Sequence, residues 1–265
     1  MDPGRVKSVS ALFSNMHIFL LPSEYNGQPS ITLGSEKSHY LTHVLRLKPG
    51  NSFKGQDRRG NLYSLKIVSV SRQSLVLECK EKEEHRNKNL PEITLYQCIC
   101  KGKKMDRIIR QATEIGVTSI IPVISEYTIP RMDKKNARNK IDRWRRIVME
   151  AVQQSASSVV TEITSPVSLA DLEKTVDGNR INLFFHQIPL ETRSLHEYLS
   201  GYPSSISLVI GPEGGLSERE TELLHEKGFS PVFLRTNILR AETAAVYGLG
   251  TVQTILMERE FWEKT

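Results

Sequence analysis

Cysteine is scarce in this chain, and its few cysteines are not arranged for chemistry. The 265 residues include Cys79, Cys98 and Cys100, and no Cys-x-x-Cys pair is present. Isolated thiols of this kind are typical of buried, reduced side chains in a cytoplasmic protein. The sequence therefore predicts reduced, buried cysteines and a cytoplasmic location.

Several motifs that would assign a function are also missing. No run approaches the roughly 20 apolar residues of a membrane span, and the first fifteen residues lack a secretion signal. Neither a Gly-x-Gly-x-x-Gly fingerprint nor a phosphate-binding Gly-x4-Gly-Lys-Ser/Thr loop occurs. His39 and His43 are four residues apart, but no third ligand is close in sequence. We expect neither a membrane anchor nor a metal.

The positive charge is concentrated in the first third of the chain. The net charge is +6, and residues 1–90 hold 14 Lys and Arg against 8 Asp and Glu, whereas residues 91–265 are neutral. A second basic run, residues 131–146, holds eight basic residues and two aspartates. Such segments favour a polyanionic partner bound through its phosphates. The alternative is a solvated surface with no partner.

The pattern of apolar segments indicates two domains. Residues 17–21, 51–56, 62–70 and 74–80 read as short strands of a small antiparallel barrel, with one helix near 36–46. Residues 1–15 are expected to be an extension, with the barrel over 16–85 and a polar linker over 86–92.

From residue 93 onwards, strands and helices alternate, which predicts a parallel sheet covered on both faces. The predicted strands are Ile93–Cys100, Ile120–Ile124, Ile181–Phe185, Ile206–Ile210 and Val232–Leu234. Helices are expected from about Met105 to Gly116, over 141–155, from a capping box at Ser217–Glu220, and from Ala241 to about Arg259.

Two loops have the composition and position of a ligand site. The strand ending at Ile210 runs into Gly211-Pro212-Glu213-Gly214-Gly215, and ligands of open α/β sheets lie beyond the carboxyl ends of strands. The second loop, Asn237–Ala245, precedes the last helix, whose first N–H groups are free to bind a ligand. A tight structural turn and an ordinary buried helix are the alternatives.

Four segments carry a specific resemblance. HYLTHVLRLKPG, KGKKMDRIIRQATEIGV, LVIGPEGGLSERE and ILRAETAA occur in the same order as in one family. The chain resembles the bacterial 16S ribosomal RNA (uracil-N3)-methyltransferases, the RsmE family, which modify uridine 1498. The resemblance implies an RNA-recognising PUA-like barrel and a SPOUT-type α/β domain with a C-terminal trefoil knot. It also implies a homodimer acting on the small ribosomal subunit.

The resemblance further implies that the knot loops bind S-adenosylmethionine. Carried over to this chain, the cofactor-binding residues are Phe185, His186, Ile210, Gly211, Pro212, Glu213, Gly214, Gly215, Leu234, Ile238, Leu239, Arg240, Glu242, Thr243 and Ala244. Basic residues are usual in the family at five positions that here hold Ile18, Gln111, Tyr127, Ser157 and Asn237. Arg235 replaces a usual glycine.

The chemistry of uracil N3 suggests roles for three residues. The N3 proton must leave, and negative charge then develops on the flanking carbonyl oxygens. Arg240 is the candidate to stabilise that charge, because a guanidinium is always charged and donates a fork of hydrogen bonds. Glu213 or Glu242 is a candidate proton acceptor, unless these carboxylates cap backbone N–H groups instead. Candidate RNA-binding residues are Arg46, Lys48, Lys103, Lys104, Arg131, Arg143 and Arg146. A related methyltransferase with another RNA target, or a non-catalytic RNA-binding assembly factor, are the competing functions.

Overall fold

The computed structural model describes residues 18–81, 91–128, 134–155, 157, 159–173, 179–191, 193–201 and 203–262. The chain divides into two compact units, Met1–Arg86 with Val152–Val160, and Asn87–Ala151 with Thr161–Thr265. The sequence did not predict that Val152–Val160 would group with the first unit. Among the described helices, none is long and apolar enough to cross a membrane.

The first unit is built on a five-stranded sheet. Its strands are β1 (Ile18–Leu20), β2 (Ser30–Gly34), β3 (Ser52–Gln56), β4 (Leu62–Val70) and β5 (Ser74–Glu81), in the order β1-β3-β4-β5-β2. The β1–β3 pair is parallel and the other pairs are antiparallel, so the all-antiparallel prediction was wrong for the first strand. Alternate side chains such as Leu65, Ile67, Leu75 and Leu77 are fully buried and form the core.

The helix expected near 36–46 is shorter than predicted and changes type. An α-helix, α1 (Ser35–His39), passes directly into a π-helical turn, Tyr40–Val44. Arg46 then adopts a φ of 55°, the left-handed region, which ends the helical path. The rings of His39 and His43 stack at 4.3 Å between centroids. The described residues contain no cluster of three metal-ligating side chains.

The second unit is an α/β structure around a parallel sheet. Its strands are β6 (Glu92–Cys98), β7 (Ser119–Ile124), β8 (Glu162–Ile163), β9 (Val167–Ser168), β10 (Arg180–Phe185), β11 (Ser205–Ile210) and β12 (Ser230–Val232). They follow the order β12-β10-β11-β6-β7-β8, with β9 also paired to β7, and every pair is parallel. Glu92, predicted as linker, is the first residue of β6.

Helices separate most of these strands, as the alternating pattern predicts, although none lies between β8 and β9. They are α2 (Lys104–Ile115), α3 (Lys134–Ser155), α4 (Leu195–Tyr198), α5 (Glu218–Glu226) and α6 (Ala241–Trp262). The capping box predicted at Ser217 is present, since Ser217 and Glu220 each accept the other's backbone N–H. The knot itself stays a prediction.

The buried core explains the short apolar runs. In β11, residues 206–210 are all buried, as expected for a strand covered on both faces. Phe184 of β10 and Val209 of β11 pack with Leu224 and Phe229. Cys79, Cys98 and Cys100 are buried and unpaired, as predicted. Burial raises the pKa of the Cys98 thiol strongly and that of Cys100 to about 12, so neither thiol is reactive at neutral pH.

Candidate active site

Three loops meet at one edge of the parallel sheet. Strands β12, β10 and β11 are adjacent and parallel, so their carboxyl ends lie side by side. The segments that leave these ends, at Phe185, Ile210 and Phe233, enclose a cavity of about 350 Å³. This is the position at which open α/β sheets bind ligands, and the volume is within the usual range for a small-molecule site.

The cavity walls combine apolar side chains, backbone and a few polar groups. The lining residues are Lys104, Phe185, His186, Gln187, Ile210, Gly211, Pro212, Glu213, Gly215, Leu216, Phe233, Leu234, Thr236, Asn237, Ile238, Leu239, Arg240, Ala241 and Ala244. Ile238 is a hydrophobic side chain with 83% of its surface exposed, at the edge of this cavity. Such exposure without a covering group is typical of a binding surface.

Most of the residues predicted from the sequence to bind a cofactor line this cavity. The exceptions are Gly214, Glu242 and Thr243, which belong to the same loops but are not among the lining residues. The cavity is also lined by seven residues that were not among the predicted cofactor-binding residues: Lys104, Gln187, Leu216, Phe233, Thr236, Asn237 and Ala241. All except Lys104 are close in sequence to predicted residues, so extending the predicted loops by a few positions would have found them.

Glu213 does not present a free carboxylate to the cavity. Its Oε1 accepts a hydrogen bond from Lys104 Nζ at 2.9 Å and another from the backbone N–H of Lys101 at 3.2 Å. Partial burial pushes the pKa of Glu213 up, but hydrogen bonds from Lys104 and from backbone N–H groups push it further down, so the net shift is downward. The contacts match the alternative role considered for Glu213, in which the carboxylate caps backbone N–H groups.

Arg240 and Glu242 differ from Glu213 in their surroundings. Arg240 lines the cavity and is exposed, and its guanidinium has no ion-pair partner among the described residues. Glu242 is in the first turn of α6, and its buried Oε2 has no hydrogen-bond partner within the described part of the chain. A buried carboxylate oxygen without a donor is costly. Such a group is a candidate for exchanging a proton or for binding a donor.

Two of the glycines are required by the shape of the loop Gly211–Gly215, here called the glycine loop. Gly215 has a φ of 75°, which side-chain-bearing residues rarely adopt. At Gly214, an added Cβ would lie 2.9 Å from the Tyr127 Cβ. A side chain at position 214 would therefore meet Tyr127 before it met a ligand in the cavity.

Tyr127 is held in place by the segment that follows β7. The backbone N–H of Glu126 donates to Glu220 at 2.8 Å, and Ser217 Oγ donates to the Glu126 carboxylate at 2.7 Å. These bonds attach the 125–128 turn to the first turn of α5. The glycine loop is therefore flanked by Tyr127 at one point and by Lys104 at another.

Comparison with known proteins places this architecture in a family. A profile described as an RNA methyltransferase domain matches residues 86–253. Ribosomal RNA small subunit methyltransferase E of Aquifex aeolicus is 35% identical, over 91% of this chain and 99% of that protein. The chain belongs to the ribosomal RNA small subunit methyltransferase E family.

Other members of this methyltransferase E family agree in sequence and fold. The Synechocystis protein of that name is 31% identical over 96% of this chain and 82% of its own length. The crystal structure of the Neisseria gonorrhoeae protein, bound to S-adenosyl methionine, superposes with a TM-score of 0.80 at 27% identity. That match covers 91% of this chain and 98% of the other.

The basic residues predicted to bind RNA in this methyltransferase E family member have different surroundings. Arg46 and Lys48 are exposed next to the π-helical turn, and Lys103 is exposed immediately before α2. Arg143 forms an ion pair with Asp106, whereas Arg146 is exposed. Arg131 lies outside the described residues. Lys104 is paired with Glu213, which the local charge count did not reveal.

The Tyr127 contact gives a prediction about the glycine loop. Gly214→Ala should lower the free energy of unfolding by about 1–3 kcal/mol, because the new methyl group overpacks against Tyr127. In a Tyr127→Gly background the same Gly214→Ala change should cost little, because the Tyr127 Cβ that the new methyl group would meet is absent. Chemical unfolding of both Gly214→Ala proteins and of Tyr127→Gly alone would measure this. A Gly214→Ala protein as stable as the wild type would contradict the packing argument.

Proposed function

We propose that this protein acts in the cytoplasm as an S-adenosylmethionine-dependent methyltransferase of 16S ribosomal RNA in the small ribosomal subunit. The main support for the proposal is the cavity, which three loops from neighbouring strand ends enclose. The chain that contains it belongs to the methyltransferase E family. We further propose the N3 atom of uridine 1498 as the target, on the family resemblance.

The residues present fit S-adenosylmethionine. Phe185, Leu234 and Leu239 supply apolar walls suited to a nucleoside base, and the polar residues Gln187, Thr236 and Asn237 also line the cavity. At Gly215, which lines the cavity, no atom lies within 4 Å of the place a Cβ would take, so the backbone is open to a ligand. When bound, S-adenosylmethionine supplies an electrophilic methyl group on a positively charged sulfur.

Arg240 is the proposed catalytic residue. Loss of the N3 proton places negative charge on the neighbouring uracil oxygens, and a guanidinium is always charged and donates a fork of hydrogen bonds. Arg240 lines the cavity and forms no ion pair with any described residue, so its charge is available to the base. Stabilising charge that develops only during reaction lowers the barrier rather than tightening substrate binding.

Between the two carboxylates proposed as proton acceptors, Glu242 is the better candidate. Lys104 and the Lys101 backbone already bind the Glu213 carboxylate and lower its pKa, which makes it a weaker base. Glu242 is in the first turn of α6, beside the cavity, but does not line it; it has an oxygen without a partner among the described residues and is two positions from Arg240 in the chain. We therefore assign Glu213 a positioning role and leave proton transfer to Glu242.

A direct assay tests the proposed function. Purified small subunits lacking the modification should gain one methyl group from S-adenosylmethionine, identified as 3-methyluridine by mass spectrometry of the digested RNA. Arg240→Gln should lower kcat by roughly 10²–10³-fold, the usual cost of removing one charge-stabilising donor. Arg235→Gln is the matched control, because Arg235 is in the same segment but does not line the cavity. No methylated nucleoside with wild-type protein would refute the activity, and a different methylated nucleoside would refute the target.

We also propose that the exposed basic residues of the first unit contact RNA phosphates. Arg46 and Lys48 are both exposed, and the left-handed conformation of Arg46 is unusual for a residue with a side chain. In the second unit Arg146 is the stronger candidate, since Arg143 is already paired with Asp106. Strained conformations and unpaired cations of this kind are common at binding sites.

The salt dependence of RNA binding tests this assignment. Each lost phosphate contact should reduce the slope of log affinity against log salt by roughly 0.7–0.9, so Arg46→Ala with Lys48→Ala should reduce it by about 1.5. The control pair, Lys66→Ala with Arg72→Ala, removes the same charge from exposed positions of the same unit. Equal slopes for both pairs and the wild type would show that Arg46 and Lys48 do not touch the RNA.

We also propose that the protein is a homodimer that packs through α6. This helix has four small residues, Ala244, Ala245, Gly248 and Gly250, which could allow close packing with a second subunit. Gly248, however, faces inward, because an added Cβ would lie 2.5 Å from the Phe185 ring of the same chain. Ala245 is fully buried, and Ala244 lines the cavity. Among the four small residues, only Gly250 is left for an outer surface.

The outer face of α6 is nevertheless apolar enough for a partner. A groove of about 450 Å³ is lined by His196, Val246, Tyr247, Gly250, Thr251, Thr254, Ile255 and Glu258. Leu249 and Val252 are buried on the inner side, while Tyr247 is 47% exposed. A helix that is apolar on all sides is usually buried on all sides. We take a second copy of the chain as the occupant, on the family resemblance.

Light scattering tests the dimer. The wild type should have the mass of a dimer at micromolar concentration, and Tyr247→Glu should shift it towards a monomer, because a carboxylate is costly to bury at an interface. Val68→Glu is the control, since Val68 is an exposed apolar side chain of the first unit. If the Tyr247→Glu protein is still a dimer, the dimer interface does not include this groove.

A further inference from the structure

The ion pair between Lys104 and Glu213 joins two loops that are far apart in sequence. Lys104 is the first residue of α2, just after β6, and Glu213 is the middle residue of the glycine loop after β11. Strands β6 and β11 are adjacent in the sheet, so their following loops emerge side by side. The Lys101 backbone N–H adds a second bond to the same Glu213 oxygen. The glycine loop is thus attached to the start of α2.

Both charges are partly shielded from solvent. The side chain of Lys104 is 35% exposed and that of Glu213 is 27% exposed, with 2.9 Å between Nζ and Oε1. The hydrogen bond to Glu213 raises the pKa of Lys104, and the pKa of Glu213 is lowered on balance, so both groups stay ionised near neutral pH. A partly buried, charge-assisted hydrogen bond is stronger than an exposed ion pair.

The glycine loop needs an external attachment of this kind. Three of its five residues are glycine, and its turn is closed by a single backbone bond from Gly215 N–H to Pro212 at 3.0 Å. A glycine-rich loop can adopt many backbone conformations, so holding it in one of them costs more conformational entropy. If the loop adopts its binding conformation for only a fraction of the time, its apparent affinity for the ligand is reduced in proportion to that fraction.

We propose that Lys104 is a positioning residue for methyl transfer: through Glu213, it holds the glycine loop in the shape that accepts S-adenosylmethionine. The inference rests on the proposed function. It replaces the role that charge alone suggested for Lys104, contact with an RNA phosphate. A lysine serving an RNA phosphate would be expected to keep its ammonium free, whereas the ammonium here is already bound to a residue of the cavity wall.

Calorimetric titration of the whole protein with S-adenosylmethionine, without RNA, tests the proposal. Lys104→Met should weaken binding by about tenfold, as expected if the attached loop conformation falls to a tenth of the population. Lys104→Arg should restore most of the affinity, because a guanidinium can also pair with the carboxylate. Arg107→Met is the control: it removes the same charge one turn further along α2, from an exposed residue with no ion pair among the described residues.

A double-mutant cycle separates the pair from independent effects. If Lys104 acts through Glu213, the double variant with Lys104→Met and Glu213→Gln should lose no more S-adenosylmethionine affinity than the weaker-binding of the two single variants. Thermal unfolding of each variant should stay near the wild type, so that an affinity change reports the loop and not the fold. Additive losses in the cycle would overturn the proposal.

Other outcomes identify which idea fails. If wild-type protein binds S-adenosylmethionine and Lys104→Met binds it equally well, only the positioning role is refuted. An unchanged cofactor affinity with a raised KM for small subunits would return Lys104 to RNA binding. If the wild type does not bind S-adenosylmethionine at all, the proposed function fails first, and the role of Lys104 fails with it.

Discussion

The parallel pairing of four adjacent strands, in the order β12-β10-β11-β6, determines where this protein can work. Because these strands run in the same direction, their carboxyl ends lie along one edge of the sheet. The segments after β10, β11 and β12 enclose the cavity, and the segment after β6 brings Lys104 to its wall. Antiparallel pairing would have sent alternate loops to the opposite edge. The cavity thus depends on strand direction before it depends on any side chain.

The strands that form this edge were largely predictable because they are buried on both faces. The run Ile206–Ile210 is apolar except for Ser207, and near-continuous apolar runs of this kind are typical of parallel sheets. The last strand was predicted two residues too late, at Val232–Leu234 instead of Ser230–Val232. It contains Pro231, which would disfavour a central strand, but β12 is at the edge of the sheet and needs hydrogen bonds on one side only.

Elements stabilised by tertiary contacts gave a weaker signal. Strand β2 was missed because only Leu33 of its five residues is fully buried, and Pro29 and Gly34 flank the apolar stretch. The helix near 36–46 was predicted to be continuous. Its π-helical turn and the left-handed Arg46 accompany backbone hydrogen bonds that span more residues than the four of an α-helix. The N–H of Leu45 donates to the Tyr40 carbonyl, and the N–H of Leu47 donates to the Leu41 carbonyl. Apolar periodicity cannot distinguish these from a regular α-helix over so few residues.

The same limit applies to the site residues. The sequence reveals which side chains are present but not which partners they have in the folded protein. Lys104, Arg143 and Arg146 are equivalent in a charge count, yet only Arg146 lacks a carboxylate partner among the described residues. A cation whose charge is already paired gains less from a phosphate, since binding must first break that pair. Pairing therefore changes which role a basic residue is proposed for: Lys104 is proposed to shape the cavity wall, and the unpaired cations are the proposed phosphate contacts.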